Sequence, residues 1–94
     1  MRKSKLEFME LMASGAYYAL QREDDRNLED ISIRREDGVA EEIYNFPYRI
    51  NQMPAYVFEE FIEEGILEQD GTDELGGKIF RVTDKGREKA LRAA

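Results

Sequence analysis

The chain has 94 residues, 41% hydrophobic and 11% aromatic, enough for one modest core and too few for two domains. Cysteine and histidine are both absent, which excludes disulfides, thiolate nucleophiles, zinc–sulfur sites and any imidazole base or metal ligand. Fourteen basic against twenty-one acidic residues give a net charge of −7, and the imbalance sits in the middle. Residues 23–82 hold six basic and seventeen acidic side chains, whereas both flanking segments are mildly basic. Such a centre repels a phosphate backbone at long range. The charged residues, 37% of the chain, are interleaved with apolar ones, which argues for a folded domain. No apolar run approaches the roughly 18 residues of a membrane span. Met1-Arg2-Lys3-Ser4-Lys5 is basic, but the amphipathic stretch after it carries Glu7 and Glu10 and lacks the apolar core of a secretory signal. The expectation is a soluble, cytoplasmic protein with no membrane partner.

In chain order, Ser4 and Glu7 have capping-box spacing and predict a first helix running from Ser4 to about Arg22. Leu6, Met9, Ala13, Ala16, Tyr17 and Leu20 recur at helical spacing, widened by Phe8, Leu11 and Met12. Ser14-Gly15 interrupts that stripe and suggests a close approach or a kink. Glu23 to Asn27 reads as a loop, and Ile31-Ser32-Ile33 as a very short strand. Asp37 is placed to cap a second helix carrying Val39, Ala40, Ile43, Tyr44 and Phe46, ended by Pro47. A third helix follows, with Asn51 as its cap and Pro54 in its first turn. Val57, Phe58, Phe61 and Ile62 form its buried face, and Gly65 ends it. Ile66 to Gln69 and Lys78 to Val82 flank a glycine-rich polar loop and predict a β-hairpin. Thr83 then caps a last helix from Asp84 to about Ala93, with Lys89 and Arg92 near its negative end.

The run Phe58-Glu59-Glu60-Phe61-Ile62-Glu63-Glu64-Gly65-Ile66-Leu67, leading to Phe80-Arg81-Val82-Thr83-Asp84-Lys85-Gly86, resembles the winged-helix branch of the helix-turn-helix superfamily. Bacterial and archaeal regulators of the antibiotic-resistance and phenolic-acid types share that pattern. The resemblance covers residues 37–90 and implies an α+β winged helix of order α-β-α-α-β-β-α: a three-helix core, a C-terminal β-hairpin wing and a final helix. It also implies a non-catalytic, regulator-like domain that binds DNA as a dimer, pairing through its first and last helices.

The charge pattern departs from DNA-binding relatives. The third helix carries Glu59, Glu60, Glu63 and Glu64 where such relatives carry basic or amide side chains, and the wing holds Asp70, Asp73 and Glu74. Candidate DNA-contacting residues are therefore Arg34, Arg35, Arg49, Asn51, Gln52 and Tyr56, before and at the start of that helix, with Lys78 and Arg81 in the hairpin. The second reading is a protein-interaction module, with Tyr48, Tyr56, Glu59, Glu60 and Glu63 as candidate contacts to a basic partner. A third is an acidic inhibitor that mimics nucleic acid. The i,i+4 pairs Glu59/Glu63 and Glu60/Glu64 read as a solvated helix face, not as an acid–base pair or a metal site. Asp70 to Glu74 lacks the ligand spacing of a calcium loop, and no Gly-Lys-Ser/Thr follows Gly76 to make a phosphate loop. No cofactor and no metal are expected.

Overall fold

A computed structural model describes residues 3–21, 30–38 and 52–93. In these, helix α1 (Lys3–Ala13) leads to strands β1 (Tyr17–Gln21), β2 (Asp30–Arg35) and β3 (Gln52–Pro54). Helix α2 (Ala55–Glu63), strands β4 (Leu67–Thr72) and β5 (Lys78–Val82), and helix α3 (Asp84–Ala93) complete the order. The five strands form one antiparallel sheet, β3-β2-β1-β5-β4. The fold is thus α+β, as expected, but its strand order differs from the single strand and wing of the expected pattern.

The largest correction lies near the N-terminus. The first helix ends at Ala13, well short of Arg22, and Ala16, Tyr17 and Leu20 are not helical. Gly15 has φ of +79° and nothing within 4 Å of where a Cβ would sit. It is a left-handed helix stop, not a close approach. Ser14 ties off the end: its Oγ donates to the Leu11 carbonyl at 2.6 Å and accepts from the Ala16 amide at 3.3 Å. The residues beyond pair with β2 on one side and β5 on the other, Ala19 lying opposite both Ile33 and Phe80. At the other end α1 runs from Lys3, so Ser4 falls within its first turn and not at the position before it.

Ile31-Ser32-Ile33 is a strand, as predicted, with both isoleucines buried. The expected second helix falls on residues outside those described, as do Asn51 and its proposed cap. Pro54 itself occupies the N-cap of α2, with φ of −54° and ψ of 138°. That extended ψ lets it close β3 opposite Asp30 and open the helix in one step.

The core gathers on one face of the sheet. Phe8, Met9 and Met12 come from α1, and Val57, Phe58 and Phe61 from α2. They meet Ala19, Ile31, Ile33, Met53, Leu67, Phe80 and Val82 on the strands. Phe58 meets Phe80 edge-on, centroids 4.9 Å apart and planes at 87°. Ile62, expected inside, is 38% exposed.

The C-terminal half follows the predicted plan closely. Gly65 turns the chain out of α2 with φ of +72°. Thr83 caps α3, its Oγ accepting from the Gly86 amide at 3.0 Å and donating to the Gly65 carbonyl at 2.5 Å. β4 extends to Thr72, past the predicted Gln69, so the turn is confined to Asp73–Gly77. The Asp73 carboxylate organises it by accepting from the amides of Leu75 and Gly77.

Candidate interaction surfaces

Because Val57, Phe58 and Phe61 point inward, helical periodicity turns Tyr56, Glu59 and Glu63 to the opposite side of α2. Glu59 and Glu63 are exposed, Tyr56 keeps 51% of its surface accessible, and Ile62 flanks them. This is an acidic face with an aromatic and an aliphatic group in it.

Glu60 and Glu64 behave differently from the solvated pair expected of them. They turn toward α1, where the Lys5 ammonium lies 3.3 Å from Glu60 Oε2 and 3.0 Å from Glu64 Oε2. Lys5 keeps only 11% of its side-chain surface and also lies 5.9 Å from the centre of the Phe61 ring. Burial pulls the Lys5 pKa down, but the hydrogen bonds to Glu64 and then Glu60 outweigh it, leaving the group above its ordinary 10.5. Lys89 reaches Glu64 from α3 at 3.8 Å. One carboxylate thus links all three helices, and the acidic face of α2 narrows to Glu59 and Glu63.

The second surface is the sheet face turned away from the core. Tyr18 and Arg34 are direct cross-strand partners there, as are Glu68 and Arg81. Arg81, a candidate phosphate contact, is already engaged. Its guanidinium takes Glu36 in two-pronged fashion at 2.7 and 3.0 Å, and Asp70 at 3.1 Å. Its Cζ stands 5.5 Å from the centre of the Tyr18 ring. The two carboxylates, Glu36 foremost, hold it firmly charged. Arg35 is ion-paired with Asp37, in the turn after β2. Arg34 and Lys78 are exposed and have no ion-pair partner among the described residues.

Of the other candidates, Tyr48, Arg49 and Asn51 lie outside the described residues, and Gln52 falls in β3, paired with Ser32 of β2. Arg34 and Lys78 stand on different strands, separated by β1, so no basic cluster forms among the candidates that are described. Sequence reasoning missed Lys5 and Glu36, because their partners lie 59 and 45 residues away. The only signal for Lys5 was a cation inside an apolar helical stripe. Among the described residues, no group of carboxylates is arranged to hold a metal ion, and no helix is long and apolar enough to cross a membrane.

No family model and no solved structure matches the chain. Over 53 residues, 55% of its length, it is 40% identical to the spermidine/putrescine import ATP-binding protein PotA of Acetivibrio thermocellus. The chain spans only 14% of that relative.

Proposed function

We propose that this chain is a non-catalytic docking module that receives a basic protein segment on the outer face of α2. The observation that carries this reading is the contrast between the two surfaces. Glu59 and Glu63 stand exposed beside Tyr56 and Ile62, whereas Arg81 and Arg35 are occupied by carboxylates of the chain itself. A half-exposed tyrosine supplies contact area at low entropic cost, and the carboxylates around it select a cationic partner. The order α2, hairpin, α3 supports a relationship to winged helices, with β4–β5 as the wing and α2 in the place of the recognition helix. On that reading the helix has exchanged phosphate contacts for protein contacts. The likeness to part of an ATP-binding transport subunit brings no nucleotide site, since the chain contains no Gly-Lys-Ser/Thr.

The regulator reading, with duplex DNA bound by a dimer, draws on Arg34 and Lys78, two exposed candidate cations without ion pairs among the described residues. A nucleic-acid mimic would use the same acidic face but compete with DNA for its target.

The deciding experiment titrates a labelled lysine- and arginine-rich peptide and, separately, a generic duplex at low salt. The docking reading expects peptide binding that Glu63→Lys weakens about fivefold or more, while Glu88→Lys, an identical charge change on α3, alters it less than about twofold. Equal loss in both variants would reduce the effect to net charge and overturn the reading. Salt-sensitive binding of the duplex, lost in Arg34→Ala, would install the regulator reading instead.

A further inference from the structure

Strand β4 forms one edge of the sheet, with β5 on one side and no strand on the other among the described residues. The ladder fixes which of its backbone groups are spare. The Thr83 amide donates to the Ile66 carbonyl at 2.9 Å, and in the same register Leu67 lies opposite Val82 and Glu68 opposite Arg81. Hydrogen-bonded and non-bonded pairs alternate along an antiparallel ladder. Glu68 therefore turns its N–H and C=O toward β5, whereas Leu67 and Gln69 turn theirs outward. Residues Glu68 to Thr72 are all exposed, which leaves that edge open to solvent. We propose that the outer edge of β4 takes an extended segment of a basic partner protein as an added strand.

Charge selects the occupant. Residues 68–74 carry Glu68, Asp70, Asp73 and Glu74 and no basic side chain. Asp73 is held in its own turn, and Asp70 shares Arg81 with Glu36. Glu68 is exposed and makes no ion pair among the described residues. A second copy of the chain is disfavoured, because two β4 strands side by side set Glu68 and Asp70 of one against those of the other. A strand with lysine or arginine at alternate positions instead places a cation opposite Glu68. The register shift between Gln69 and Thr72 confines the new pairing to the segment before it. Main-chain hydrogen bonds at Leu67 and Gln69 then supply affinity, and the alternate cations supply specificity. This edge is a different surface from the outer face of α2, and the proposal does not rest on that reading.

Amide hydrogen exchange followed by NMR on the intact chain, with and without a short peptide of alternating lysine and threonine, tests it. Saturating peptide should slow exchange at Leu67 and Gln69 about tenfold or more, and by more than at the Glu68 amide that β5 already holds. The same peptide with its amides N-methylated keeps its charge but loses its donors, and should bind about tenfold more weakly. Gln69→Pro removes one outward N–H and no bond of the ladder. It should weaken binding where Gln69→Ala does not, with unchanged circular dichroism in both. Binding that leaves Leu67 and Gln69 unprotected, or that survives N-methylation, overturns the proposal. Peptide binding lost in Glu63→Lys, with those two amides never protected, also overturns it and leaves the α2 reading standing.

Discussion

Lys5 Nζ and Glu64 Oε2 are 3.0 Å apart although 59 residues separate them along the chain. That pair fastens the start of α1 to the end of α2, and Glu60 shares the same ammonium at 3.3 Å. Replacing Lys5 by the similarly sized methionine keeps the stem's packing but leaves two carboxylates facing an apolar surface. Lys5→Met should lower unfolding stability by about 1–3 kcal/mol, read from chemical denaturation. Glu60→Gln should cost less, because Glu64 still neutralises the cation.

The same pair sets an alkaline limit. The folded pKa of Lys5 lies above 10.5, so the folded state holds that proton more tightly than the unfolded chain does. Its contribution is complete below pH 10.5 and vanishes as pH climbs through the raised folded value. The stability difference between the wild type and Lys5→Met should therefore be flat through neutral pH and shrink above that point. A constant difference across the alkaline range would disprove the linkage.

Gly86 packs where α3 crosses the start of the hairpin. A Cβ there would lie 2.7 Å from the Ile66 carbonyl oxygen and 2.8 Å from Val82 Cγ2. Alanine ordinarily strengthens a helix by up to about 1 kcal/mol relative to glycine. Here the contact is with backbone, and overpacking should win, with Gly86→Ala destabilising by about 1–3 kcal/mol. A gain in stability would show that α3 can shift away without loss.

Thr83 does two jobs with one hydroxyl, capping α3 through the Gly86 amide and holding the Gly65 carbonyl where α2 ends. Thr83→Ala should cost about 1–2 kcal/mol, and Thr83→Ser should recover most of that because it keeps the oxygen. Parallel thermal denaturation of the two variants checks it.

Gly15 carries a backbone prediction of the opposite kind. Space is available around it, yet its φ of +79° disfavours any side chain. Gly15→Ala should cost about 1 kcal/mol through backbone strain alone, measurable as a shifted denaturation midpoint with an unchanged slope.

Part of the fold is written in local signals along the chain. A left-handed glycine at 65, a hydroxyl cap at 83 and the strand-forming run Lys78 to Val82 each act within a few residues of where they stand. The α2–hairpin–α3 segment was therefore legible, as was the inward set Val57, Phe58 and Phe61. Tertiary structure decided the rest. The apolar residues Ala16 to Leu20 suit a helix stripe and a strand buried between neighbours equally well, and periodicity cannot separate the two. Pairing with β2 and β5 settled it, because an extended segment there completes two ladders of hydrogen bonds at once. The acidic face was likewise undecidable in one dimension. Four glutamates at i,i+4 spacing look alike until Lys5 arrives from α1 and takes two of them, because an ion pair depends on distance in space and not along the chain.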